Sequence, residues 1–162
     1  MTDRLLYLLR HATAQDKALP IADAQRTLVP KGRRQVRDVA AFCKRQRLLP
    51  RLLVSSPVVR ARQTAEALAH QLPGCGPLQL ADWLRNDTPT DSALAGLRQL
   101  RAEHPGDPWL VGHEPDLSAL LAALIGAPAD AVLLRKASLS CLLLKGDDRA
   151  QLLWTLPPAQ MG

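Results

Sequence analysis

Two arginines and two histidines hold most of the chemistry this sequence offers. Arg10 and His11 follow the apolar run in "YLLRHATAQ", Arg60 lies just past "SSPVV", and His113 closes "WLVGH". A guanidinium presents several N–H donors in a rigid fork that matches a phosphate or a carboxylate. Imidazole titrates near neutrality, and its neutral form keeps a lone pair on one ring nitrogen. Taken one at a time, each residue has an ordinary explanation, such as a strand-end histidine or a surface arginine. Their common position, at or just beyond the end of a short apolar run, asks for a common one. Brought to one rim, the four would suit a multiply charged anion.

The elements that must position them can be read from the pattern. Leu5–Leu9 is continuously apolar, as in a strand covered on both faces, and Leu52–Ser55, Leu78–Ala81 and Trp109–Val111 are shorter runs of the same kind. Between them lie helical patterns. Arg33–Arg47 carries Val36, Val39, Ala40 and Cys43 on one face, Val58–Leu72 follows a serine and a proline, Ser92–Glu103 follows Thr90 and Asp91, and Leu117–Ile125 is the last. Residues 12–29 are mixed and polar and predict a long loop. The tail predicts strands at Val132–Leu134, Ser138–Leu144 and Gln151–Leu156, with "KGDD" as a hairpin turn. Strands alternating with helices predict an α/β three-layer sandwich with a mostly parallel central sheet, as one domain over residues 1–162. In such sheets ligands bind beyond the carboxyl ends of the strands, where Arg10, His11 and His113 stand and Arg60 follows.

Composition narrows the partners. The chain has 162 residues, 47% hydrophobic and 22% charged, and only 3% aromatic, so Leu, Ala and Val must build the core. Lys and Arg number 21 against 15 Asp and Glu, a net charge of +6, which invites nucleic acid, an acidic protein face or a phosphorylated substrate. The basic residues gather modestly at Lys31–Arg37 and Lys44–Arg51, without the interleaved aromatics of single-strand stacking platforms, so nucleic acid is disfavoured. Cys43, Cys75 and Cys141 form no close pair, which argues against a disulfide framework or metal site and for a reducing compartment. Met1–Arg4 runs straight into a strand without a cleavage site, and no run is long enough to span a membrane. A cytoplasmic protein is expected.

"YLLRHA", "SSPVVRARQTA" and "LVGHEP", in this order, resemble the histidine phosphatase superfamily, whose fold is called phosphoglycerate mutase-like. The short chain, "RHA" in place of "RHG", and "DAQRTLVPKG" are most similar to its SixA-type phosphohistidine phosphatase branch. The resemblance extends from Leu5 to about Leu156 and implies phosphoryl transfer through a covalent phosphohistidine, with no metal and no cofactor. By that match His11 is the nucleophile, and Arg10, Arg60 and His113 form the phosphate pocket, their fixed donors stabilising charge on the equatorial oxygens. Thr13 carries a hydroxyl placed to donate to phosphate or to serve its own loop, and Ser56 is a similar case with a helix cap as its alternative. Asp23, Arg26 and Gly32 match the branch's "D..R.L...G" segment and are expected to order the loop.

Two carboxylates are candidates for the proton donor: Glu114, directly after the second histidine, and Asp87, in "LRNDTPTD". An alkoxide leaving group needs such a donor badly, whereas imidazole, with a pKa of about 6.5, leaves with far less help. A chain this short also has little room to roof its pocket. The substrate implied is phosphohistidine on a partner protein, a phosphorelay or phosphotransfer component. A small-molecule phosphomonoesterase and a non-catalytic anion-binding module are the alternatives. The two basic clusters are expected to steer an acidic partner.

Overall fold

The structure is a computed structural model that describes residues 4–146 and 148–162. Six strands form one sheet in the order β3-β2-β4-β1-β5-β6. They are β1 (Arg4–Arg10), β2 (Leu52–Ser55), β3 (Leu78–Leu80), β4 (Pro108–Gly112), β5 (Leu139–Leu144) and β6 (Ala150–Leu156). The first four run parallel, whereas β5 pairs antiparallel with β1 and with β6. The β5–β6 connection is the expected "KGDD" hairpin, of which Asp147 lies outside the described residues.

Four helices cover the sheet: α1 (Pro30–Gln46), α2 (Val59–Gln71), α3 (Thr90–Glu103) and α4 (Asp116–Ile125). Because successive strand residues face opposite sides, β1 feeds two cores. Tyr7 and Leu9 pack with Val36, Val39, Ala61 and Leu68 of α1 and α2. Leu6 and Leu8 pack with Leu97, Leu117 and Leu121 of α3 and α4. This is the three-layer α/β sandwich expected, and it explains why β1 is apolar between its terminal arginines and why β4 is apolar.

Three local departures have clear causes. The first helix starts at Pro30 rather than Arg33, since proline is preorganised for the first helical position and Gly32 is needed inside the first turn, against Thr13. Val132–Leu134 is not a strand. Leu134 is buried, its carbonyl accepts a hydrogen bond from Arg10, and Leu133 faces solvent, so the run seats one side chain instead of joining the sheet. The loop of residues 12–29 contains a short 3-10 turn at Asp23–Gln25 and one bridge between Ala14 and Leu28, which hold it against the sheet rim.

Candidate active site

The ends of β1, β2 and β4 meet at one rim. The His11 amide continues the ladder to the Gly112 carbonyl at 3.0 Å, and the Ser56 amide reaches that of Val111 at 3.0 Å. His11 and His113 thereby stand with ring centroids 5.3 Å apart, at the floor of a cleft of about 510 Å³. Arg10, Arg60, Thr13 and Glu114 line the same cleft, so the structure brings together all six expected site residues. Asp87 is not among the lining residues: it is exposed, in a left-handed conformation with φ 69°, on the approach to α3.

The backbone fixes the His11 ring. Its Nδ1 lies 2.8 Å from the carbonyl oxygen of Ala12. A carbonyl only accepts, so Nδ1 carries the proton and Nε2 keeps its lone pair. Burial, with smaller contributions from His113, Arg60 and Arg10, lowers the His11 pKa to about 3 and holds the ring neutral. The Ala12 amide donates to Thr64 Oγ1 at 3.0 Å, and that hydroxyl donates to the Arg60 carbonyl at 2.8 Å, pinning the loop after His11 to α2.

His113 is set up in the opposite sense. Its Nε2 lies 2.8 Å from Ser56 Oγ, which also accepts the Val58 amide at 3.1 Å. Where the Ser56 hydroxyl donates to Nε2, the His113 proton sits on Nδ1. Nδ1 is buried without a partner, and so are the Nε atoms of Arg10 and Arg60. Buried donors are nearly always satisfied. These three unpartnered nitrogens belong to residues lining the cleft, while the Nε atoms of Arg62 and Arg101, away from it, lack a hydrogen-bond partner as well. Burial, together with Arg60, lowers the His113 pKa to about 4.

The two arginines are locked by different means. Arg10 Nη1 donates to the Leu134 carbonyl at 2.8 Å. Arg60 donates through Nη1 to the Asp23 carbonyl at 2.9 Å and through Nη2 to its carboxylate at 3.2 Å. Arg26 Nε holds the other Asp23 oxygen at 3.0 Å and its Nη1 reaches the Gln15 carbonyl at 2.6 Å. Burial works to raise the Asp23 pKa, but Arg60 and Arg26 outweigh it and keep the carboxyl below its ordinary range. Asp23 thus engages the Arg60 and Arg26 guanidiniums together.

The remaining hydroxyls and acids are engaged. Thr13 donates through both its amide (2.9 Å) and its hydroxyl (3.1 Å) to Gln35 Oε1 on α1, an outcome neither expectation for Thr13 contained. Glu114 accepts the Ser118 amide on one oxygen at 3.0 Å and the Ser118 hydroxyl on the other, capping α4. Sequence reasoning missed Thr64, Gln35 and four further lining residues, Gln15, Asp16, Lys17 and Lys136. Thr64 was within reach, in "RARQTA"; the others carry no local signal. Among the described residues no group of three His, Cys, Asp or Glu side chains converges as metal ligands do. The positive charge of the cleft comes from guanidinium and ammonium groups.

Residues 6–86, which include Arg10, His11 and Arg60, match the family model of the histidine phosphatase superfamily (branch 1). The chain belongs to the histidine phosphatase superfamily. An uncharacterized protein of Picosynechococcus sp. is 37% identical over 112 residues, covering 69% of this histidine phosphatase and 67% of the relative. In fold, the protein is similar to the protein histidine phosphatase SixA solved with tungstate, with a TM-score of 0.87 and 21% identity over 98% of this chain and 99% of that one. A protein of Agrobacterium tumefaciens, provisionally named phosphohistidine phosphatase SixA, matches with a TM-score of 0.80 and 29% identity over 96% and 99% of the two chains. A mycobacterial glucosyl-3-phosphoglycerate phosphatase shares the fold at a TM-score of 0.74 and 22% identity over 93% and 98%. The same scaffold therefore accompanies proteins named for quite different substrates. Among the described residues no helix is long and apolar enough to cross a membrane.

Proposed function

We propose that this histidine phosphatase hydrolyses phosphohistidine on a partner protein, with His11 as the nucleophile. His11 Nε2 attacks phosphorus, a new N–P bond forms, and the N–P bond to the substrate imidazole breaks. That imidazole leaves and takes up a proton. Water then attacks the phosphorylated His11, releasing inorganic phosphate and restoring the neutral ring. Arg10, Arg60 and the His113 Nδ1–H hold the phosphoryl oxygens in both steps, where fixed donors are worth most because their orientation is prepaid. Thr13 shapes the wall of the cleft.

The observation that carries the choice of substrate is the state of Glu114. Of the two candidate acids it is the one at the cleft, and both its oxygens accept hydrogen bonds from Ser118. A carboxyl so engaged is poorly placed to protonate a departing alkoxide. Asp16, the other lining carboxylate, is exposed and accepts the Ala18 amide at 2.9 Å. Imidazole, with a pKa of about 6.5, is the phosphoryl leaving group that tolerates this arrangement best.

The test compares leaving groups. Phosphate release is measured from a phosphohistidine-bearing phosphocarrier, from p-nitrophenyl phosphate and from an alkyl phosphate such as glycerol phosphate, with His11→Ala alongside. The expected order places the phosphocarrier and the activated aryl ester well ahead of the alkyl ester, with no turnover by the variant. Equal or faster cleavage of the alkyl ester, dependent on Glu114, would move the substrate to small phosphomonoesters.

A further inference from the structure

Beside the catalytic cleft runs a second groove of about 730 Å³, which shares Arg10, Thr13 and Lys136 with it. Lys31 and Arg34 of α1 form one wall and Arg135, Lys136 and Leu133 line the groove from the loop before β5. Asp38 is the single carboxylate on its lining. Among the described residues none of Lys31, Arg34, Arg135 or Lys136 takes part in an ion pair, and all four are exposed.

Local stability does not account for this charge. The first turn of α1 contains no acidic residue and carries Lys31 and Arg33, with Arg34 and Arg37 just beyond. Cations at a helix N-terminus oppose the macrodipole. Lys31 and Arg34 face the groove, whereas Arg33 and Arg37 line a separate surface pocket; cations that oppose their own helix and lie along a catalytic cleft fit an external anionic surface. Lys136 senses the combined field: burial is the main cause of its lowered pKa, and Arg10, Arg26, Lys31 and Lys17 add to it.

Leu133 decides the kind of surface. It is 72% exposed, the most exposed of the large apolar side chains described, and sits on the groove with Pro157 and Pro158. No aromatic ring lines the groove, so it offers nothing for bases to stack upon. An apolar contact inside a basic rim matches a folded protein face with carboxylates around an apolar spot.

We infer that this groove docks the phosphorylated carrier protein itself, through an acidic surface next to its phosphohistidine, with Lys31, Arg34, Arg135 and Lys136 as the charge partners and Leu133 as the apolar contact. The inference rests on the phosphohistidine-protein reading above. It also separates the two basic clusters of the sequence. Lys44 and Arg47 lie at the far end of α1, roughly 20 Å along the helix from Lys31 at 1.5 Å per residue, and take no part.

The experiment uses the full chain and the double reversal Arg34→Glu/Arg135→Glu, two exposed residues outside the catalytic set. Three probes are compared: p-nitrophenyl phosphate, a strongly acidic histidine phosphocarrier domain, and a histidine-phosphorylated histone as a basic carrier. Wild type is expected to prefer the acidic carrier over the histone, with kcat/KM falling as salt rises. The reversal is expected to lower kcat/KM for the acidic carrier by roughly tenfold or more, mainly through KM, and to leave p-nitrophenyl phosphate turnover unchanged. Binding of the unphosphorylated acidic carrier, followed by fluorescence anisotropy, is measured in parallel and is expected to weaken equally. Unaltered carrier binding and kinetics in the reversal overturn the docking inference, whatever the substrate. Intact, reversal-sensitive carrier binding with no release from any phosphohistidine protein would keep the docking face and overturn the substrate reading. A single-stranded oligonucleotide that binds more tightly than the carrier would assign the groove to nucleic acid and overturn the proposal.

Discussion

Gly32→Ala adds one methyl group where α1 crosses the loop that follows His11, and its effect follows from three distances. A Cβ at position 32 would lie 2.1 Å from the Thr13 carbonyl oxygen and 3.0 Å from both the carbonyl carbon and the amide nitrogen of that residue. An ordinary carbon–oxygen contact is about 3.3 Å or more, so helix and loop must part by roughly 1 Å. The obstacle is backbone, which has no rotamer to escape into. The same carbonyl accepts the Val29 amide at 3.1 Å, and the Thr13 amide and hydroxyl are held by Gln35 on α1, so the loop cannot shift without breaking these bonds. Thr13 is two residues from His11. A displacement of about 1 Å at a reacting group costs on the order of 10² in rate, and overpacking typically costs about 1–3 kcal/mol in stability. Helix propensity pulls the other way, since alanine is favoured over glycine by roughly 0.5–1 kcal/mol inside a helix. The assay is kcat for p-nitrophenyl phosphate with a thermal melt, and Gly106→Ala, whose Cβ meets nothing within 4 Å, is the control. The expected result is a folded, less stable variant with kcat reduced about 10²-fold, and an unaffected control. A Gly32→Ala protein that is more stable and fully active would refute the packing argument and leave propensity as the operative effect.

Three further outcomes are expected. With pKa values lowered to about 3 and about 4, His11 and His113 resist protonation in the fold, whereas the unfolded chain takes up protons below about 6.5. Their stabilisation is thus complete above pH 6.5 and is lost as pH falls towards 4, at a slope approaching about 2.7 kcal/mol per pH unit for the pair; urea titrations at several pH values should show it, and His11→Asn/His113→Asn should flatten it. Ser56→Ala removes the hydroxyl between the Val58 amide and His113 Nε2, and is expected to lower kcat about tenfold, the equivalent of one hydrogen bond, with KM little changed; unchanged kcat would mean that packing alone sets the His113 proton. Asp23→Ala frees the Arg60 fork and is expected to reduce kcat by on the order of tenfold, while inhibition by inorganic phosphate weakens less because the cleft becomes more positive; equal losses in both would place Asp23 in binding rather than orientation.

Much of this site was legible in the sequence because sheet geometry makes it so. A strand buried on both faces must be apolar along its length, and its end must turn polar, so "YLLRHA" and "WLVGH" announced β1, β4 and the rim they share. Arg60 followed from the turn into α2. The sheet class, the four helices and the convergence of Arg10, His11, Arg60 and His113 all rest on patterns spanning a few residues. Val132–Leu134 shows where that logic fails: three apolar residues look alike whether they enter a ladder or seat one leucine beneath an arginine.

What prepares those four residues for chemistry was decided by tertiary structure. Ser56 meets His113 across 57 positions, Thr64 meets the Ala12 amide across 52, and Asp23 meets Arg60 across 37. Arg10 is fixed by a main-chain carbonyl 124 positions away, a partner that any residue type would supply and no sequence pattern marks. The same holds for the basic clusters, alike in composition yet set at opposite ends of one helix, only one of them beside the cleft. Periodicity encodes which face of an element is buried. Which loop comes to rest beside which strand end depends on how the layers pack, and the hydrogen bonds that orient a catalytic group are made only after they do.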